Sequence, residues 1–205
     1  MGANDERVLQ AEFFLAQTLV ATARHDEAQP ILQRIVDVRT VRDGVDHPQT
    51  LAALNELGRV QLAREDYAGA EPAVRRIMEA YARELGAEHP YTLIVQCNLG
   101  TILRKLDRFD EAVALQRHAV EIARERPDAE AWQASRFERE LGATLAAQGA
   151  FDEAEPHLLR AYEGLEAHFG RDAIETREAA KALVALYEAT DREDDAARFR
   201  ESTAP

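Results

Sequence analysis

The sequence predicts an all-α protein of about five antiparallel helix hairpins stacked as a repeat solenoid. Three observations carry that prediction. Leu15, Leu57, Leu99, Leu141 and Leu183 stand 42 residues apart, and so do Ala28, Ala70, Ala112, Ala154 and Ala196. Gly58, Gly100 and Gly142 share the spacing, with Ala16 and Val184 in the outer copies. Tyr67, Phe109 and Phe151 share it too, with His25 and Glu193 at the ends. A fixed period of this length is the signature of a repeat architecture.

Each copy reads as two helices. In the second copy, Leu51, Leu54, Gly58 and Leu62 mark one helical face. A polar turn, Arg64-Glu65-Asp66, follows. Ala70, Val74, Ile77, Tyr81 and Leu85 form the stripe of a second helix. Pro72, with Pro30 and Pro156 at equivalent places, is expected in the first turn of that helix, where its missing N–H costs little. Gly44, Gly86 and Gly170 are expected to end second helices, because glycine accepts the left-handed conformation that a helix C-terminus often needs. His47-Pro48 and His89-Pro90, followed by Thr50 and Thr92, open the next copies. A small residue in each helix lets the pair approach closely, and the large side chains at 67, 109 and 151 fill the hairpin mouth. One hairpin cannot bury its stripe alone, whereas stacked hairpins can. The copies fall at about 5–46, 47–88, 89–130, 131–172 and 173–205, within one repeat domain over 1–205.

Composition narrows the function. The 205 residues are 46% hydrophobic, enough for a core. The formal net charge of -13 repels phosphate backbones and argues against general nucleic-acid binding. Cys97 is the single cysteine, which excludes an internal disulfide or a thiolate metal cluster and fits a reducing cytoplasm. No apolar run approaches the ~18 residues of a membrane span.

A Leu-Gly pair, a large aromatic nine residues after the Gly and an Ala three further on resemble the tetratricopeptide repeat. Its usual length is about 34 residues. The 42-residue period, with His-Pro-x-Thr-Leu at the loop, resembles the longer variant of kinesin light chains and many bacterial regulators. That resemblance implies a right-handed superhelical solenoid with first helices lining a concave groove. The third junction, Pro127 to Trp132, departs from the pattern. Leu186-Tyr187-Glu188-Ala189 and the stretch Asp194 to Arg200 are similar to the C-terminal ends of bacterial serine/threonine kinases that carry such repeats. The last copy is polar, as a solenoid cap should be. The first copy starts almost at Met1 with Phe13 and Phe14 on its first helix, which suggests a piece of a longer protein.

Catalytic signatures are missing from the sequence. It holds no Gly-x-Gly-x-x-Gly, P-loop, His-Glu-x-x-His, His-Arg-Asp or Asp-Phe-Gly, so no enzymatic activity, catalytic residue, metal site or cofactor is expected. Cys97 reads as a packed or groove-lining thiol. His47 and His89 recur with the repeat before Pro and read as loop elements at helix starts. His118, His157 and His168 read as helix-surface residues, and the many carboxylates as a solvated face.

The groove carries the functional expectation. Counting along the first helices from the Gly column selects Asn55 and Arg59, then Thr101 with Asn98 and Arg104 nearby, then Arg136 and Arg139, then Lys181. Phe13, Cys97, Ala143 and Ala185 occupy further inward positions. This basic lining on an acidic chain points to a protein- or peptide-binding scaffold whose ligand carries acidic side chains or a free C-terminal carboxylate, since the planar arginine fork suits carboxylates. Ordinary surface arginines in i,i+4 pairs are the plainer alternative. The set resembles the carboxylate clamp of chaperone-tail-binding tetratricopeptide domains but has Glu140 beside Arg139. Two other functions stay open: a regulatory segment of a larger bacterial signalling protein such as a serine/threonine kinase, and self-assembly through the first helix, with Phe13 and Phe14 exposed together. The leucine column makes a direct prediction. Leu99→Ala should cost about 2–5 kcal/mol in urea denaturation, and a loss below about 0.5 kcal/mol would place that column on the surface.

Overall fold

The computed structural model describes residues 5–126 and 131–203. Pro127, Asp128, Ala129 and Glu130, at the departing third junction, lie outside the described residues. The described chain forms ten α-helices and no strand: α1 (Glu6–Ala21), α2 (His25–Asp43), α3 (Pro48–Ala63), α4 (Tyr67–Glu84), α5 (Pro90–Lys105), α6 (Phe109–Glu125), α7 (Ala131–Gln148), α8 (Phe151–Phe169), α9 (Ile174–Ala189) and α10 (Glu193–Arg200). A 3-10 turn, Glu201–Thr203, is the last element among the described residues. The helices pair into five hairpins within the expected repeats. They form two compact units, one through Val95 and one from Gln96, with the boundary inside α5. In the first unit α1 packs on α2, α2 on α3 and α3 on α4; in the second, α6 packs on α7, α7 on α8, α8 on α9 and α9 on α10.

Each hairpin turns in the same way. Ala23, Glu65, Asp107, Gly149 and Asp191 all have positive φ, between 56° and 87°, and they too stand 42 residues apart. The N–H of the residue after each reaches back to a carbonyl five positions earlier: Arg24 to Leu19, Asp66 to Gln61, Arg108 to Leu103, Ala150 to Leu145 and Arg192 to Tyr187, at 2.8–2.9 Å. This is the Schellman arrangement, which satisfies carbonyls that a helix end leaves free. Only the fourth copy uses glycine there. The other four hold a non-glycine residue in the left-handed region, at a cost that the surrounding bonds outweigh.

Second helices end at or just before Gly44, Gly86 and Gly170, but the first and last of these adopt an extended positive-φ conformation instead of the left-handed one expected. Gly44 and Gly170 have φ of 96° and 88° with ψ of 156° and 165°, a region almost reserved for glycine. Thr92 and Thr176 then donate from Oγ1 to the carbonyls of Gly86 and Gly170 at 2.9 and 2.8 Å. His47 and His89 cap α3 and α5: each Nδ1 accepts from the N–H two residues on, at 3.3 Å. They are structural caps in the role usually taken by Ser, Thr, Asp or Asn.

The prolines differ from the expectation. Pro30, Pro72 and Pro156 are each the sixth residue of their helix, beyond the first turn. Each therefore removes one intrahelical hydrogen bond from a helix whose packed face must make up the loss.

The small-residue columns form the centre of the core. Ala28, Ala70, Ala112, Ala154 and Ala196 are all completely buried, as are Leu99, Leu141 and Leu183. The glycines opposite them are not equivalent. A Cβ on Gly142 would lie 2.7 Å from Leu158 Cγ and 3.2 Å from the Ala154 carbonyl, and one on Gly100 would lie 2.6 Å from Gln116 Cγ. A Cβ on Gly58 would sit at an ordinary 3.7 Å from Val74 Cγ2. The outermost leucine also departs from its column: Leu15 is 51% exposed where Leu57 is 3%, because no described element lies over that face of α1.

The last hairpin is closed differently. Ala196 and Phe199 of α10 turn inward. The Phe199 ring meets Tyr162 edge-on at 5.1 Å and stacks on Tyr187 at 6.0 Å. Ser202 is buried, bonded to Tyr162 Oη at 3.1 Å and accepting from Arg171 Nε at 2.8 Å.

The glycine geometry gives a paired prediction. Gly58→Ala should raise stability by roughly 0.5–1 kcal/mol, the conformational cost of glycine in a helix. Gly142→Ala should lower it by about 1–3 kcal/mol through overpacking. Thermal melts of the two variants decide, and equal shifts of one sign would show that the glycine column has a single role.

Candidate peptide-binding surface

The residues selected from the first helices lie on α3, α5, α7 and α9. Asn55 and Arg59 belong to the first unit, and the other six to the second. Asn55, Arg59, Asn98, Arg136 and Lys181 are exposed, while Thr101, Arg104 and Arg139 are half-buried. Arg59 Nη1 bonds Glu56 at 3.1 Å, and Lys181 Nζ bonds Glu178 at 2.9 Å. Both are exposed i,i+3 pairs of the kind worth little in water.

In the second unit Thr101, Arg104 and Arg139 meet at one carboxylate. Glu140 accepts from Arg139 Nη2 at 2.6 Å and from Thr101 Oγ1 at 3.0 Å, and Arg104 Nη2 lies 3.5 Å from it. Arg104 Nε is buried with no partner among the described residues. Burial alone would raise the Glu140 pKa, but the Arg139 charge and hydrogen bond, helped by Arg104 and Thr101, outweigh it and hold the carboxyl below its ordinary range. Arg136 has its guanidinium 5.7 Å from the Trp132 ring centroid and no carboxylate partner among the described residues.

Cys97 is buried beneath these charges. Desolvation and Glu140 push its thiol pKa up, against the weaker opposing pull of Arg136, Arg139 and Arg104. A thiol so held stays protonated and is a poor nucleophile. Beside this cluster, Ala143, Ala146 and Ala147 of α7 face Ala182, Ala185 and Ala189 of α9 across an open groove of about 330 Å³, with Phe151 and Leu186 completing its walls. Ala143 and Ala185 are the inward positions that helical spacing selected.

Sequence reasoning missed a second cluster. Glu138, read as one of many solvated carboxylates, is 4% exposed. It accepts from Arg124 Nε and His157 Nδ1, each at 2.6 Å, with Arg160 Nε at 3.5 Å. His157, read as a surface residue, is therefore half-buried and hydrogen-bonded to Glu138. His118 is half-buried too, with Nδ1 2.9 Å from Gln96 Nε2. Only a tertiary contact between α6, α7 and α8 distinguishes Glu138 from its exposed neighbours. Phe13 also differs from its expected exposure: it packs against the core of the first unit, with the Arg39 guanidinium 5.9 Å from its ring centroid.

Among the described residues, no group of three or more His, Cys, Asp or Glu is placed to hold a metal ion, and no helix is long and apolar enough to cross a membrane.

Two family models described as tetratricopeptide repeat match the sequence, one over residues 7–81 and 62–125 and the other over 139–175. The chain belongs to the tetratricopeptide repeat family. Solved structures share the fold. A variant of the nearly identical TPR-like repeats of a kinesin-light-chain-type protein from Podosopora anserina has a TM-score of 0.76 at 22% identity, over 99% of this chain and 95% of that one. BtubC (BKLC) from P. vanneervenii has a TM-score of 0.64 at 19% identity, over 96% and 72%. YrrB, a TPR protein with an unusual peptide-binding site, has a TM-score of 0.56 at 18% identity, over 94% and 82%. A search of curated proteins finds no match. Tetratricopeptide repeats are in general non-enzymatic scaffolds for protein interaction, and that coarse function comes with the family.

The Glu138 cluster predicts a pH dependence. Burial would raise the Glu138 pKa, but hydrogen bonds from His157 and Arg124 outweigh it and hold the carboxyl low. A depressed folded-state pKa contributes stability that is complete above the unfolded value near 4.3 and is lost as pH falls through the folded value. Glu138→Gln should therefore cost about 1.5–3 kcal/mol at pH 7, and the gap from the parent should narrow below about pH 4. Urea denaturation at pH 7 and pH 3.5 checks this; an equal gap at both would leave Glu138 without an electrostatic role.

Proposed function

We propose that this tetratricopeptide repeat protein is a peptide-binding scaffold whose first helices receive an extended segment bearing acidic side chains or a free C-terminal carboxylate. The observation that carries the reading is the meeting of Arg104 and Arg139 at the single carboxylate of Glu140, with Arg136 near the same buried Cys97, a locally cationic site on a chain of net charge -13. Arginine forks bind carboxylates through paired, charge-assisted bonds. Asn98 in the second unit, and Asn55 in the first, each suit a peptide backbone, since an amide side chain can both donate to a C=O and accept from an N–H. Lys181 extends the cationic lining within the second unit, and the alanine groove beside it leaves room for a main chain to approach closely. That residues 1–205 act as one repeat domain is part of the same proposal. The peptide-binding site named for YrrB supports the reading at the level of fold.

A fluorescent hexaglutamate peptide with a free C-terminus is the probe. Its affinity should fall as salt rises. Replacing Arg136 and Arg139 together with Ala should weaken it by about 2 kcal/mol, or roughly 30-fold. Glu140→Gln should tighten it by freeing both arginines. No salt dependence and unchanged affinity in the double variant would reduce these arginines to surface charges.

A further inference from the structure

The fourth copy departs from the others at the opening turn of its first helix. The repeat period places Trp132 where the other copies have Glu6, Pro48, Pro90 and Ile174, and Arg136 where they have Gln10, Ala52, Ile94 and Glu178. The same copy ends its second helix on His168-Phe169, where earlier copies have Arg42-Asp43, Glu84-Leu85 and Arg126-Pro127. An aromatic side chain and a cation four residues apart therefore enter the sequence together, in one copy. Pro48, Pro90 and Ile174 show that the fold does not call for an indole at that place.

The four side chains meet at one end of the α7–α8 hairpin, within the second unit. Trp132 is half-buried. Its ring stacks on His168 at 6.2 Å and meets Phe169 edge-on at 5.6 Å, and those two rings meet each other at 4.5 Å. The Arg136 guanidinium lies over the indole, 5.7 Å from its centroid. Helical side chains lean toward the N-terminus of their helix, so Arg136 reaches back over the turn that carries Trp132. Among aromatic side chains, the indole face attracts a cation most strongly.

This arrangement leaves Arg136 free in a way that its neighbours are not. Arg139 donates to Glu140 at 2.6 Å and Lys181 to Glu178 at 2.9 Å. Arg136 is exposed and meets no carboxylate among the described residues. The donors of a guanidinium lie in its plane, and an aromatic ring attracts the cation without accepting those bonds. A cation held by a ring thus keeps its hydrogen-bonding edge for a carboxylate, whereas one held by a carboxylate has already used it. An arginine without such support loses side-chain freedom when it binds, and holding it beforehand removes part of that loss.

We propose that Trp132 is a positioning residue for ligand binding: braced by His168 and Phe169, it holds Arg136 with its donors open to a carboxylate of the acidic segment. The proposal rests on the peptide-binding reading above and adds to it a residue outside the cationic set.

Hexaglutamate binding tests it, through a double-mutant cycle over Trp132 and Arg136. Trp132→Leu keeps an apolar side chain against Phe169 and removes the cation-binding face. It should weaken binding about 2- to 5-fold, the worth of an exposed cation–π contact. Trp132→Phe keeps a ring and should stay within about twofold of the parent. Once Arg136→Ala has removed the cation, Trp132→Leu should cause no further loss, an outcome that a merely structural role for the indole would not give. Unlabelled peptide should also change the emission of Trp132, the single tryptophan of the chain. Equal losses from Trp132→Leu with and without Arg136, parent-like affinity in either single variant Trp132→Leu or Arg136→Ala, or emission untouched by bound peptide would each overturn the proposal, while the groove reading stands or falls on the double arginine variant. A parent chain that does not bind hexaglutamate would overturn both.

Discussion

The close approach of two helices at the fully buried alanine column sets the geometry on which every hairpin depends. The side chain at 28, 70, 112, 154 and 196 is a fully buried methyl. Facing it, the glycines at 100 and 142 leave space that Gln116 and Leu158 fill. The leucine of each Leu-Gly pair can then bury against the neighbouring hairpin. A larger residue at the crossing would separate the helices and open the leucine layer, and a layer with voids loses dispersion contacts outright. The turn supports this spacing. A left-handed residue at each helix end reverses the chain within a few residues and satisfies the last carbonyls as it does so. Helix distance and helix reversal are thus fixed by two local devices repeated five times, and stacking follows from them.

Much of this was legible in the sequence because it is periodic. Columns of Leu, Ala and Gly announce buried faces, and glycine announces positive φ at 44, 86 and 170. Three kinds of feature were not legible. Ala23, Glu65, Asp107 and Asp191 adopt left-handed conformations that their side chains do not advertise; the bonds formed around them decide it. Glu138 and His157 look like surface polar residues until α6, α7 and α8 come together. Leu15 follows the buried pattern perfectly, yet burial needs a neighbour, and pattern alone does not supply one. In the candidate site, the types and spacing of Arg104, Arg136 and Arg139 could be read, and Glu140 could be seen beside Arg139. That one carboxylate would also hold Arg104 and Thr101 depended on the packing of α5 against α7.

The charges are organised more tightly than a net value of -13 suggests. Asp46 is held below its usual range chiefly by a hydrogen bond from Arg83, with Arg76 adding to the effect. Glu155 is held low chiefly by Arg192, with a further bond from Tyr187. Most such pairs are exposed and contribute little to stability individually. Their consequence is for recognition: a cation already paired on the surface offers little to a ligand. Arg136, which has no such carboxylate among the described residues, is therefore the residue with most to give.

Glu140 adds a constraint of its own. Two half-buried arginines without a counter-charge would be costly to the folded chain, so an internal carboxylate is the stable arrangement before any ligand arrives. A ligand carboxylate must then share the arginines with Glu140 or displace it, and only the difference between the two arrangements contributes to affinity. A single carboxylate gains little from such an exchange. On the proposed reading an extended ligand gains more, because it would engage Arg136 and the Asn98 amide of the second unit at the same time. On the proposed reading, the internal carboxylate acts as a filter: it lowers affinity for isolated anions and leaves binding to segments long enough to reach several repeats at once.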